Sequence, residues 1–348
     1  MGGEHRVNNR AICCRLHPLK KLPTLLLLLL AALGAAFFLL RTPDTDPVEM
    51  LVKYGGPQAK FAAGPGGMNI HFRDQGNPDG PPIILVHGTS ASLHTWEPLA
   101  QRLGGEFRII SYDQPAHGLT GAAPDNDYSA NGMMRALDAV AGAAGVDHFI
   151  LGGNSMGGWV SWRYALAHPD RVDALILLDA AGAPLREGEE EPALNLGFRL
   201  ARTAPGRFLL SHFLPRSLIE KSIRETVANE AIVDEAYIDR YWELLRLPAN
   251  RRAAPYFFMA DREPEMAEKL SGIAAPTLIL WGAEDTLIYP SAAETFDERI
   301  ANSQVRVYEG VGHLPMEEAP DKTADDIRRF LESLAPEVED GMNLETPQ

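Results

Sequence analysis

Residues 150–160 read "ILGGNSMGGWV", and the way this stretch turns decides the rest of the chain. An apolar run stops, two glycines follow, then Asn154, Ser155 and Met156, then two more glycines and an apolar, helix-like segment. Glycine has no Cβ, so it accepts positive φ and lets neighbouring backbone come close. Gly153 and Gly157 around one serine, where a strand passes into a helix, predict a sharp turn that presents Ser155. An ordinary glycine-rich connection fits the same five letters, so the flanking sequence has to decide.

Working outward, apolar runs of strand length alternate with helical spacing. "MNIHFRDQG", "PPIILVHGTS", "FRIISYDQP", "HFILGGNSMGG", "DALILLDAAG", "PTLILWGAED" and "QVRVYEGVGH" each end in turn-forming or polar residues, and segments such as "SANGMMRALDAVAGAAG" lie between them. Near-continuous apolar strands alternating with helices predict an α/β fold with a mostly parallel central sheet flanked by helices. In such sheets, sites form outside the carboxyl ends of the strands. Residues 183–273 break the alternation. They are helical in pattern, rich in Phe, Tyr, Trp and Leu, and far longer than a normal connection. We expect a helical cap inserted between two late strands, the other reading being a separate small helical domain. The core then comprises residues 61–182 and 274–335, with residues 336–348 as a flexible tail.

The N-terminal region has its own character. Residues 22–40, "LPTLLLLLLAALGAAFFLL", carry no charge; as a helix they would span about 28 Å, close to the hydrocarbon core of a bilayer. Arg6, Arg10, Arg15, Lys20 and Lys21 precede them against the single acid Glu4. This pattern predicts a signal anchor in the lipid bilayer, with residues 1–21 cytoplasmic, residues 41–60 a stalk, and the catalytic part periplasmic or extracellular. Secretion after signal cleavage is the alternative, although the apolar stretch is long for a signal peptide and no A-x-A pattern follows it. Residues 42–348 carry 26 basic and 46 acidic residues, a net charge near −20, which argues against nucleic acid as a partner. Both cysteines, Cys13 and Cys14, precede the anchor, so the exported part has no thiol for a disulfide, and no spacing suggests a metal site.

A serine hydroxyl is a weak nucleophile and needs a base, and the base needs a group to orient it. Asp285 follows "TLILWG", and His313 lies in "GVGHLPMEEAP" one helix and one strand later. Neighbouring strands would bring that carboxylate and imidazole together at the sheet edge carrying Ser155, in the chain order Ser…Asp…His. Acyl transfer also needs N–H donors for the developing oxyanion. The N–H of Met156 and that of Thr89 (Ser90 being the alternative) are the candidates, with Gly88 allowing the tight turn.

The ordered set "LVHGTSASLHTWEPLAQRL", "SYDQPAHGLTG", "GNSMGGWVSWRYALAHPDRV", "LILWGAEDTLI" and "GVGHLPMEEAPD" resembles the landmarks of the capped α/β-hydrolase fold family across roughly residues 60–335. The resemblance implies Ser155 as nucleophile, His313 as general base and Asp285 as its orienting acid. Family members that are dehalogenases or epoxide hydrolases carry an aspartate at the elbow, so Ser155 speaks against both activities. Asp179, in "LILLDAAG", occupies a position from which some members draw their acid; we expect it instead to cap a turn.

We expect His87 to brace the oxyanion loop and Asp113 and His117 to hold a turn. His94 could touch substrate but better fits a surface or packing role. Trp96, Trp159 and Trp162 fit the core, and "REGEEEP" at residues 186–192 a solvated entrance. The activity expected is hydrolysis of a small-molecule carboxylic ester with an apolar acyl or aromatic part, with no metal or organic cofactor. Alternatives are a C–C bond hydrolase of the meta-cleavage type, a monoacylglycerol-type lipase, and a non-catalytic ligand-binding or signalling module on the same scaffold.

Overall fold

The computed structural model describes residues 22–335; the expected cytoplasmic N-terminus, its two cysteines and the expected tail over 336–348 lie outside the described residues. The described residues divide into two units, one ending at Thr42 and the other beginning at Pro43.

In the first unit, α1 (Leu22–Leu40) is a nineteen-residue helix with no charged residue. Leu26–Leu30, Leu33, Phe38, Leu39 and Leu40 are all exposed. The side chains of Leu22, Pro23 and Leu25 lie outside the described residues. The continuous described run, Leu26–Leu40, reaches about 22 Å against about 30 Å of hydrocarbon. Among the described residues, then, no helix is long and apolar enough to cross a membrane, and the structure does not support the single-pass anchor expected over residues 22–40.

The second unit is built on one eight-stranded sheet: β1 (Lys60–Ala63), β2 (Asn69–Gly76), β3 (Pro82–Val86), β4 (Arg108–Tyr112), β5 (Phe149–Asn154), β6 (Val172–Leu178), β7 (Thr277–Gly282) and β8 (Ser303–Tyr308). Their spatial order is β1-β2-β4-β3-β5-β6-β7-β8. β2 runs antiparallel to both of its neighbours, and the remaining pairs are parallel. Each strand anticipated from sequence is present. β1 was not anticipated: it is a four-residue edge strand with one buried side chain, too short to show a period.

Alternation along the strands sorts the core into two layers. Ile84, Val86, Leu175, Leu177 and Ile279 pack on one face of the sheet, and Ile83, Leu85, Ile176, Leu278 and Leu280 on the other. A strand buried on both faces alternates sides with period 2 while staying apolar throughout. The first layer is closed by α4 (Ala130–Ala144), α5 (Met156–Ala167) and α11 (Ser291–Arg299), and the second by α3 (Glu97–Leu103) and α13 (Pro320–Leu334). α4 begins where the Ser129 side chain accepts from the Gly132 N–H, and stops at Gly145 in the left-handed conformation (φ 69°), an N-cap and a glycine C-cap.

Residues 43–60 differ from the expected stalk. A one-turn helix, α2 (Pro47–Met50), starts on Asp46, whose carboxylate accepts from the N–H groups of Val48 and Glu49. Met50 and Tyr54 then pack against Leu244 and Leu247, and the Tyr54 hydroxyl donates to Glu243 at 2.6 Å. The spacing of Met50 and Tyr54, one helical turn apart, is the signal that a Pro- and Gly-bearing composition hid. Between β6 and β7 run α6 (Leu196–Ala201), α7 (Ala204–His212), α8 (Arg216–Arg224), α9 (Glu235–Leu245) and α10 (Pro248–Met259), an all-helical insertion. Buried Glu317, in α12 (Pro315–Glu318), ties it to the core: it accepts from the Tyr237 hydroxyl of α9 at 3.0 Å and from Thr95.

Candidate active site

The turn between β5 and α5 holds Ser155 at φ 54° and ψ −119°, a region an L-residue occupies only under strain. Surrounding bonds fix it there: its N–H donates to Leu178 (3.0 Å) and its carbonyl accepts from Ala181 (2.9 Å). The glycines supply the room. A Cβ on Gly157 would lie 1.9 Å from the Val86 carbonyl oxygen, and one on Gly153 would lie 2.3 Å from that of Gly157. No larger residue fits, so the glycine-rich stretch is a tight elbow and not a loose connection.

Asp285 lies three residues beyond β7 and His313 five beyond β8, and both are buried. His313 Nδ1 is 2.7 Å from Asp285 Oδ2. Asp285 Oδ1 accepts from the N–H groups of Leu287 (2.8 Å) and Ile288 (3.1 Å), so the carboxylate is gripped on both oxygens. An imidazole whose Nδ1 proton is held by a carboxylate keeps Nε2 available to take a proton from a hydroxyl. Asp179, the competing acid, makes a different contact: its Oδ1 accepts from the Gly282 N–H at 2.9 Å, linking the ends of β6 and β7. Burial, followed by the nearby charge of Asp285, raises the Asp179 carboxyl well above the ordinary aspartate range.

Gly88, Thr89, Ser155, Met156 and His313 line one cavity of about 680 Å³. A Cβ on Gly88 would sit 3.1 Å from Ser155 Cβ, so this loop lies directly against the elbow. His87 braces it as expected: Nδ1 donates to the Gly88 carbonyl (2.8 Å) while Nε2 accepts from the Gln114 N–H (3.0 Å). That pair of bonds defines one neutral tautomer, and burial lowers the His87 pKa.

The other expectations divide. Asp113 is a loop anchor, accepting from His71 (2.7 Å) and from the N–H groups of Leu93 and Leu119. Burial opposes its ionisation, but the His71 hydrogen bond together with the charge interactions of His71, His87 and His94 holds it low. His94 is buried against the Tyr54 carbonyl at 2.8 Å, a packing role. Arg186 joins residues 186–192 to α11 through Glu294 at 2.8 Å. Trp96 is core, as expected, whereas Trp159 and Trp162 are both core and cavity wall. His117, expected only to hold a turn, also lines the cavity, its ring 4.9 Å from that of Phe257. Leu210, Leu214, Tyr241, Phe258 and Arg262 complete much of the wall from the insertion. Sequence reasoning did not single these out, because a helix that covers a cavity carries the same apolar spacing as one that covers a core.

Residues 81–320 match the alpha/beta hydrolase fold family, and the chain belongs to it. It is 28% identical over 275 residues to Lipase 1 of Psychrobacter immobilis, covering 76% of this chain and 81% of the relative. It is 27% identical over 285 residues to monoacylglycerol lipase abhd6-A of Xenopus laevis, covering 80% and 83%. Among solved structures, a meta-cleavage product hydrolase from Pseudomonas fluorescens IP01 superposes with a TM-score of 0.66 at 19% identity, over 79% of this chain and 98% of that one, a likeness of fold. The protein is an α/β-hydrolase enzyme.

Proposed function

We propose that the protein is a serine hydrolase that cleaves carboxylic esters with an apolar acyl or aromatic part through an acyl-enzyme on Ser155. The observation that carries this reading is a strained, glycine-walled Ser155 opening into the same cavity as His313, whose Nδ1 is engaged by Asp285. In the cycle, His313 Nε2 takes the Ser155 proton as Oγ attacks the ester carbonyl. The N–H groups of Met156 and Thr89 receive the oxyanion, and the first N–H groups of a helix such as α5 have no intrahelical partner to compete for them. His313 returns the proton to the departing alcohol, then activates water to release the acid. The residues from 183 to 273 act as the cap, and their apolar wall supports an apolar acyl or aromatic group.

Covalent labelling by a fluorophosphonate tests the reading on wild type beside Ser155→Ala, followed by p-nitrophenyl esters of increasing acyl length. Labelling lost in the variant, with ester turnover, is expected. Turnover of a vinylogous diketone in preference to every ester would move the assignment to C–C bond hydrolysis.

The exposed leucines of α1 favour a second, narrower reading. Apolar side chains left in water are unfavourable, so α1 meets lipid, and the substrate is a monoacylglycerol reached at a membrane, with the catalytic unit on the exported side. Cell fractionation of the full chain tests this; recovery of the protein wholly in the soluble fraction would remove it.

A further inference from the structure

Two buried carboxyl groups stand beside one imidazole. A carboxylate oxygen of Asp179, one of Asp285 and a ring nitrogen of His313 all lie within 4.8 Å of one another, and Asp179 is fully buried. The two acids share the available donors unequally. Both oxygens of Asp285 are engaged, by Leu287, Ile288 and His313. Asp179 has the Gly282 N–H on Oδ1, but Oδ2 has no hydrogen-bond partner among the described residues. Its backbone is also held at φ 44°, a strained conformation for an aspartate.

An orphaned, buried oxygen beside another carboxylate is doubly unfavourable if both groups are charged. A proton on Oδ2 removes both faults at once, turning the orphan acceptor into a donor aimed at the neighbouring carboxyl group. The other charge facing Asp179 is Glu318, itself gripped by the N–H groups of Gly312 and Leu314. Neither Asp285, His313 nor Glu318 supplies the fixed cation that would keep Asp179 ionised.

We propose that Asp179 is a positioning residue held as a neutral carboxylic acid, whose Oδ2–H donates to the Asp285 carboxylate and steadies it against His313. The inference rests on Asp285 and His313 being the acid and base of the proposed cycle.

Asp179→Asn is the discriminating variant, because the amide keeps the shape and a donor but cannot ionise. It should lose less than about threefold in kcat, whereas Asp179→Ala, without a donor, should lose roughly tenfold or more with KM little changed. The acidic limb of the kcat/KM profile should stay in place in Asp179→Asn, since no charge has been removed. An ionised Asp179 predicts instead that the limb moves to lower pH, because deleting its charge makes His313 easier to deprotonate. Thermal unfolding supplies a readout independent of catalysis. An acid with a raised folded-state pKa lowers stability as pH rises from the ordinary carboxylate range towards that value. The Tm of Asp179→Asn should therefore gain on wild type between pH 5 and pH 8. A displaced acidic limb, equal losses in the Asn and Ala variants, or a Tm difference that does not grow with pH would each overturn the proposal. Activity surviving in Ser155→Ala would instead defeat the proposed cycle, leaving the Tm comparison to report on Asp179 alone.

Discussion

The side-chain amide of Asn154 donates to the main-chain carbonyl of His313 at 3.0 Å. The residue preceding Ser155 is thus tied to the residue proposed as its base, across 159 positions of sequence. The same amide reaches the Leu178 carbonyl at 3.2 Å, so one side chain holds the ends of β5 and β6 and the loop after β8.

Replacing Asn154 by Ala removes that tie and strips a donor from two buried carbonyls. We expect a loss of about 1–3 kcal/mol in unfolding free energy and a fall in kcat of roughly tenfold, because a small displacement between reacting groups is costly. Denaturant unfolding and steady-state kinetics on the same preparation check both effects. Full kcat in a destabilised variant would show that the tie is purely structural.

The elbow makes a contrasting pair of glycine substitutions informative. A Cβ at Gly157 would collide with the Val86 and His87 carbonyl oxygens at 1.9 and 2.7 Å, whereas one at Gly142, in α4, meets nothing within 4 Å. Gly157→Ala should leave little soluble, folded protein. Gly142→Ala should stabilise by about 1 kcal/mol through helix propensity. Circular dichroism melts separate the two.

The proposed triad should respond in graded fashion. Asp285→Asn should reduce kcat by about 10⁴-fold, the scale seen when the orienting acid of such a triad is neutralised. The expected loss in Asp179→Asn is far smaller, since the imidazole is hydrogen-bonded to Asp285 while Asp179 takes the Gly282 N–H. If Asp179→Asn is the more damaging of the two, Asp285 is not the orienting acid.

Acid should weaken the fold through histidines kept neutral inside it. Burial, reinforced by nearby His87, lowers His117 to about 3, and burial lowers His94 to about 4. The unfolded chain takes up these protons near pH 6.5, so it binds more of them than the folded state as pH falls below that value. Stability should therefore drop from pH 7 to pH 5, with each such histidine contributing on the order of 2 kcal/mol. His117→Gln should flatten that drop by a similar amount in chemical unfolding at the two pH values. An unchanged drop would mean that the ring is protonated in the folded protein.

Much of this site is legible in one dimension. Ser155 and Asp285 each follow a strand with a clear apolar run, His313 follows the shorter alternation of Val305 and Val307 in β8, and strands of a parallel sheet deliver the residues after them to one edge. The glycines at 153 and 157 are legible for the same local reason, since a strand cannot turn into a helix in that space with a side chain present. By contrast, β1 is a four-residue edge strand paired with β2, and the segment from Pro43 to Gly55 is short and rests on partners such as Leu244 and Glu243, nearly 200 residues away.

The sequence by itself determined the alternation of strands and helices, the elbow around Ser155 and the chain order Ser155, Asp285, His313, because these depend on side-chain periodicity and local backbone sterics. Only the tertiary structure decided which acid meets the imidazole, that Trp159, His117 and Arg262 face the cavity, and that Asp179 is buried beside Asp285. Those outcomes depend on which side chains approach when distant segments close on one another, and hydrogen bonding and burial at such meetings leave no period in the chain.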